Sequence, residues 1–257
     1  MRADAVYRAL DVEITAVRAR RGLPSVLDVG GGSGVWAVPL ARTGCAVTVV
    51  DPSPDALAVL RRRAVEAGCA ERIVGVQGDT DVLSELVPAG AADLVLAHGV
   101  LEVVDDLAAA VAALATATVP GGVLSVLVAN RFAAVLARAV AGRIADARQL
   151  LEDPDGRLTG PDGSHDGLLR RLDTARLRSL LEDAGLGIEL LQGDGVVIDL
   201  VPGAMLDATP GAAEALAELE LRAAVTPPLL DVASRLHAMA RRPQPMPDSV
   251  KPASPVG

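Results

Sequence analysis

Short, continuously apolar runs alternating with helical patterns predict a doubly wound α/β fold, a mostly parallel seven-stranded sheet with an antiparallel edge. Three observations carry this expectation. Runs such as "AVTVVD" and "ADLVLA" are apolar at consecutive positions, as strands covered on both faces must be. Helix-length amphipathic segments separate them. A glycine-rich turn, "DVGGGSG", follows the first strand-like run and opens the next helix.

In chain order, a helix is expected over residues 4–20, followed by the strand "SVLDVG" and a helix over 34–43. Next come the strand "AVTVVD", a helix over 54–67 that begins with proline, and the strand "RIVGVQ". A short helix at 82–86 leads to the strand "ADLVLA" and a helix over 105–117. Pro120, Gly121 and Gly122 make the turn before the fifth strand "VLSVLVA", after which one long Ala/Arg helix is expected over 132–150. The run "EDPDGRLTGPDGSHDG" is turn chemistry throughout and reads as a mobile loop. A helix over 174–184 precedes "GIELLQGDGVVIDLV", which reads as a strand pair around Gly-Asp-Gly at the sheet edge. Helices are then expected over 211–224 and 229–240. Residues 1–241 are taken as one domain with a substrate-side helical and loop insert at about 131–172, and 242–257 as a Pro-rich disordered tail.

Composition narrows the function classes. The 257 residues are 51% hydrophobic but only 1% aromatic, so Tyr7, Trp36 and Phe132 are the whole supply of rings for stacking nucleobases. Net charge is −9, from 33 acids against 24 bases, which opposes general affinity for nucleic acid or an anionic membrane. Nine arginines stand against seven carboxylates between Arg131 and Arg178, and this least acidic stretch suggests an anionic substrate. Cys45 and Cys69 have neither metal-ligand nor CxxC spacing, so two reduced thiols are expected. The first residues lack the apolar core of a signal peptide and no window is long enough to span a bilayer. A soluble cytoplasmic protein with no metal and no membrane partner follows as the expectation, as a monomer or homodimer.

The glycine turn has the spacing Asp28-x-Gly30-x-Gly32-x-Gly34, which lets a ligand lie against the backbone with no Cβ in the way. It also satisfies Gly32-x-Gly34-x-x-Ala37, a form of the dinucleotide fingerprint. Asp51 ends the second strand, where a carboxylate can accept both hydroxyls of a ribose or cap the next helix. Asp79 and Thr80 follow the third strand, where an acceptor and backbone amides can meet an adenine edge. His98 ends the fourth strand, facing the crevice in which open α/β sheets bind ligands. His165 and His237, in the loop and the last expected helix, read as structural or solvated.

Together these residues resemble class I S-adenosylmethionine (SAM)-dependent methyltransferases, and within them the tRNA 5-carboxymethoxyuridine methyltransferase group and its bacterial relatives. The likeness runs through "VLDVGGGSG", "HGVLEVVDD", "PGGVLSVLVAN", "LRSLLEDAGL", "ALAELELRAA" and "SRLHAMARRP". It implies SAM as cofactor, contacted by Gly30 and Gly31 with Gly32 beside them, by Asp51 at the ribose, by Asp79 and Thr80 at the adenine, and by His98. Arg2 is the implied counterpart of an arginine that holds the methionine carboxylate. The implied reaction passes a methyl group to an anionic acceptor such as a carboxylate, on a modified uridine of tRNA or on a small metabolite. No general base is needed for such a nucleophile, and no catalytic residue is marked. Two alternatives remain at this stage: a non-catalytic SAM-binding regulator, and a nicotinamide oxidoreductase, which Tyr7 and Lys251 at opposite ends of the chain serve poorly.

Overall fold

A computed structural model describes residues 5–159, 170–203, 206 and 210–244. Arg2, His165 and most of the expected tail fall outside these residues.

Seven strands form one sheet in the order β3-β2-β1-β4-β5-β7-β6. The strands are β1 (Ser25–Val29), β2 (Ala46–Asp51), β3 (Ile73–Gln77), β4 (Ala92–His98), β5 (Thr118–Ala129), β6 (Gly187–Asp194) and β7 (Arg235–Arg241). The first five pair in parallel, whereas β7 runs antiparallel to both β5 and β6. The expected mostly parallel sheet with an antiparallel edge is thus present.

Helices cover both faces. On one side lie α1 (Ala5–Arg21), α2 (Ala37–Arg42) and α3 (Pro54–Glu66), whose Leu10, Ile14, Leu40, Leu57 and Leu60 pack on Val47, Leu94 and Leu127. On the other lie α4 (Leu83–Leu86), α5 (Leu107–Ala117) and α8 (Thr174–Asp183), packed on Val95, Leu124 and Ala238. Removing these Leu, Val and Ile side chains from water contributes about 1.5–3 kcal/mol each, which carries a core with almost no aromatic residues. Cys45 and Cys69 are buried free thiols. Among the described residues no helix is long and apolar enough to cross a membrane.

Three element expectations are corrected. The single helix over 132–150 is two, α6 (Arg131–Val140) and α7 (Ile144–Glu152), because Gly142 breaks it with φ of 74°. The run "VVIDLV" is not the partner strand of β6. Its Val196, Val197 and Ile198 amides instead donate to the buried Glu220 carboxylate of α9 (Ala212–Ala223), at 2.8, 2.8 and 2.9 Å, so they are unavailable to a ladder.

The partner of β6 is β7, where a helix over 229–240 was expected; only a 3₁₀ turn, Leu229–Val232, is helical there. Ala, Met, Leu and Arg are good helix formers, but pairing with a strand on each side overrides local propensity. His237 therefore sits fully buried inside the sheet. The Pro-Gly-Gly turn is drawn into the start of β5, with a register break between Ala92 and Leu94 of β4.

The segment after β5 leaves and returns at one place. Asn130 bridges Leu172, and the Arg131 amide donates to the Leu172 carbonyl at 2.9 Å.

Candidate functional site

The carboxyl ends of β1, β2, β3 and β4 open onto a cavity of about 360 Å³. Gly30, Asp51, Asp79 and Thr80 line it, opposite Gly99, Val100 and Val103 from the loop after β4. Four sequence-predicted residues from three successive strand ends therefore meet on one space, at the switch point where open α/β sheets bind ligands.

Glycine is required in the turn for two distinct reasons. Gly30 has φ of 68°, and a Cβ there would stand 2.7 Å from Val100 Cγ2. Gly31 faces inward, where a Cβ would meet Asp28 Oδ2 at 2.4 Å and Val49 Cγ1 at 2.9 Å. Gly31 thus packs the turn onto the sheet, whereas Gly30 leaves the cavity open. Arg63 of α3 donates to the Ser33 carbonyl and hydroxyl at 3.2 and 2.8 Å, tying the turn to its neighbouring helix.

Asp51 is buried at the base of the cavity. Its Oδ2 accepts the Gly32 amide at 2.8 Å and its Oδ1 the Ser53 amide at 2.9 Å. It does not cap α3; the Ser53 hydroxyl does, by accepting from the Ala56 amide at 3.2 Å. Two amides occupy half of the roughly four lone-pair positions of a carboxylate, and two acceptor positions are left for a ligand. Asp79 Oδ1 accepts the Asp81 amide at 3.1 Å, which holds the loop after β3 beside the cavity.

Asp28 lies beneath the turn with Oδ2 buried and without a hydrogen-bond partner among the described residues. Burial, with the nearby Asp51 charge adding to it, pushes its carboxyl up to about 7.

His98 is not among the residues that line this cavity. Its ring lies on the α1–α2 side of the sheet, edge-on to Trp36 at 4.7 Å, and Trp36 contacts Tyr7 at 4.5 Å. Two of the three aromatic side chains thus gather beside it. His98 Nε2 is 2.8 Å from Ser125 Oγ, which is 2.8 Å from His237 Nε2; His237 Nδ1 is 2.9 Å from Gln192 Nε2. Sequence reasoning missed Ser125, His237 and Gln192, because a helix at 229–240 put His237 on the wrong element. Val100, Val103 and Asp105 were also missed as lining residues, although they fall in "HGVLEVVDD". Among the described residues, no group of three or more His, Cys, Asp or Glu is arranged to hold a metal ion.

The arginine-rich stretch is largely engaged internally. Arg131 pairs with Asp173, Arg143 with Asp146, Arg157 and Arg176 with Asp155, and Arg178 with Glu182. Arg170 is buried and donates to the Val104 and Asp105 carbonyls.

The chain is similar in sequence and fold to known proteins. A family model described as a methyltransferase domain matches residues 4–191. A ubiquinone biosynthesis O-methyltransferase of Methylobacterium nodulans is 35% identical over 189 residues, covering 72% of this chain and 69% of that protein. The tRNA 5-carboxymethoxyuridine methyltransferase of Escherichia coli is 30% identical over 220 residues, covering 85% and 80%. A solved SAM-dependent methyltransferase from Methanosarcina mazei superposes with a TM-score of 0.60 at 15% identity, over 87% of this chain and 94% of the other, and shows the fold alone. The chain belongs to the methyltransferase-domain family and is a SAM-dependent methyltransferase.

Proposed function

We propose that Gly30, Gly31, Gly32, Asp51, Asp79, Thr80 and His98 hold SAM, with Arg2 at its carboxylate, and that the methyl group passes to an anionic oxygen acceptor on a small metabolite. The observation that carries the cofactor assignment is the Asp51 carboxylate, fixed by two backbone amides and facing the cavity with acceptor capacity to spare. Ribose hydroxyls fit that capacity, and the open space above Gly30 fits a ligand laid against the backbone. When bound, SAM supplies a methyl group on a cationic sulfonium. The chain's own residues bind and orient; alignment of reactants contributes on the order of 7–11 kcal/mol in such reactions. An anionic oxygen needs no proton removed, in keeping with a site that holds no nucleophile–base pair among the residues lining the cavity.

Residues 1–241 act as one catalytic domain, with the insert at about 131–172 covering the acceptor side. The small acceptor is favoured by the net charge of −9 and by the internal pairing of the insert's arginines. A modified uridine of tRNA is the second reading, favoured by the 30% identity over 220 residues to the Escherichia coli tRNA enzyme. A labelled-methyl assay across total tRNA and a metabolite pool separates the two.

The cofactor assignment is tested by thermal melting. S-adenosylhomocysteine at about 100 times its Kd adds roughly 2.7 kcal/mol, an expected rise of about 5–11 °C for a chain of this size. Asp51→Ala should abolish most of that rise, and an unchanged rise in the variant would remove Asp51 from the ribose.

A further inference from the structure

The Gln192–His237–Ser125–His98 chain crosses four strands on one face of the sheet. Leu127 pairs with both His98 and His237, and His237 pairs with Gln192, so the register sets these side chains in one row. Ser125, two residues before Leu127, points to the same face and bridges the two rings. Ser125 and His237 are fully buried and Gln192 nearly so.

The hydrogen bonds allow only an ordered set of protons. A serine hydroxyl has one proton, so of the two imidazole nitrogens 2.8 Å from Ser125 Oγ, one donates and the other accepts. The Gln192 amide nitrogen donates to His237 Nδ1, which must then be unprotonated. His237 carries its proton on Nε2 and donates to Ser125 Oγ; Ser125 in turn donates to His98 Nε2. His98 is left with its proton on Nδ1. That nitrogen is buried and has no partner among the described residues. Burial holds His237 down to about 3 and, with His237 and Arg235 nearby, holds His98 well below its ordinary value, so both rings are neutral at neutral pH.

An unpartnered buried donor is costly unless a ligand meets it. His98 lies beside Trp36, at the end of the glycine turn, and immediately before Gly99 of the cavity wall. In the binding mode proposed above, Asp51, Asp79 and Thr80 take the nucleoside end of the cofactor, which leaves its amino-acid end to the glycine turn and His98. We propose that Ser125, His237 and Gln192 are positioning residues that lock His98 as its Nδ1–H tautomer, making it a single donor to the carboxylate of the bound cofactor. This rests on the cofactor assignment above.

The chain has three histidines, so ¹⁵N-histidine labelling of the full-length protein gives a spectrum of three rings, and His165→Gln identifies one of them. The expected long-range ¹H–¹⁵N pattern shows His98 protonated on Nδ1 and His237 on Nε2. S-adenosylhomocysteine should move the His98 Nδ1 resonance, whereas 5′-methylthioadenosine, which lacks the carboxylate, should leave it in place. Ser125→Ala should give His98 averaged shifts of two tautomers. If the competent tautomer falls to about a fifth to a half of molecules, the Kd for S-adenosylhomocysteine rises about two- to fivefold. The Kd for 5′-methylthioadenosine should not change, and His98→Asn, which keeps a donor near the Nδ1 position, should retain part of the preference for the carboxylate ligand.

A wild-type His98 protonated on Nε2 overturns the proposal, as does a Ser125→Ala variant that weakens both ligands by the same factor. Should the wild type bind neither ligand, the cofactor assignment fails, while the tautomer spectrum of the free protein still decides the relay.

Discussion

Asp28 shows how one side chain couples the glycine turn to pH. Its carboxyl is raised from 3.8 to about 7, so the folded chain holds this proton more tightly than the unfolded chain does. Its contribution to stability is therefore full below the unfolded value and declines as pH rises from about 4 toward 7. Asp28→Asn should flatten that decline, with a larger gain in melting temperature at about pH 8 than at about pH 5. Equal gains at both pH values would show that Asp28 is not protonated in the fold. At this scale the gathering of Gly30, Asp51, Asp79 and Thr80 on one cavity was readable in advance. Gly30 and Asp51 announce themselves because positive φ, close backbone approach and a strand-end carboxylate each leave a mark in local sequence. His237 leaves none, since what makes it matter is a neighbour, Ser125, more than a hundred positions earlier in the chain.

The edge strands tell a similar story one level up. The parallel strands were legible because burial on both faces forces continuous apolar runs, and β4 is buried at every position but its last. In β7 the same double burial is met by "RLHAMAR", whose small and flexible residues read as a helix. What pins this strand is charge at its two ends. Arg235 pairs with Asp194 of β6. Arg241 reaches the buried Glu13 of α1 at 2.8 Å, Glu189 of β6 at 2.5 Å and the Gly121 carbonyl at 2.8 Å, joining three elements. Arg241→Met should destabilise the fold by about 3 kcal/mol, because it strands the Glu13 carboxylate with Arg20 as its remaining partner. Urea unfolding at constant m checks this, and adding Glu13→Gln in the same chain should recover part of the loss. A loss unchanged by that second substitution would assign the effect to packing. The helix pair after β5 has a different character: α6 buries none of its residues, and Val140 at its end is 90% exposed. Its hydrophobic pattern was visible, but Gly142, which divides it from α7, was read as an ordinary helix position.

For the whole molecule, charge is the feature that bears on the acceptor. A protein that holds tRNA by its phosphates binds best at low salt and loses affinity steeply as salt is added. This chain, at −9 and with Arg143 and Arg157 of the insert and Arg176 of α8 paired to nearby carboxylates, is expected to show no binding to total tRNA at low ionic strength. Tight binding that collapses between about 50 and 200 mM salt would favour the modified uridine instead. The sign of the charge was legible from composition, whereas its internal pairing was not, because ion pairs depend on which helices and loops the fold brings together. The sheet order has a consequence for biosynthesis. Strands β1 to β5 can assemble as a ribosome delivers them, but among the described residues β6 pairs only with β7, the last strand of the sheet in chain order, which must enter between β5 and β6. Until about residue 241 has emerged, a nascent chain carries an open β5 edge and an orphaned β6, and products of premature termination before that point should be substrates for chaperones and proteases.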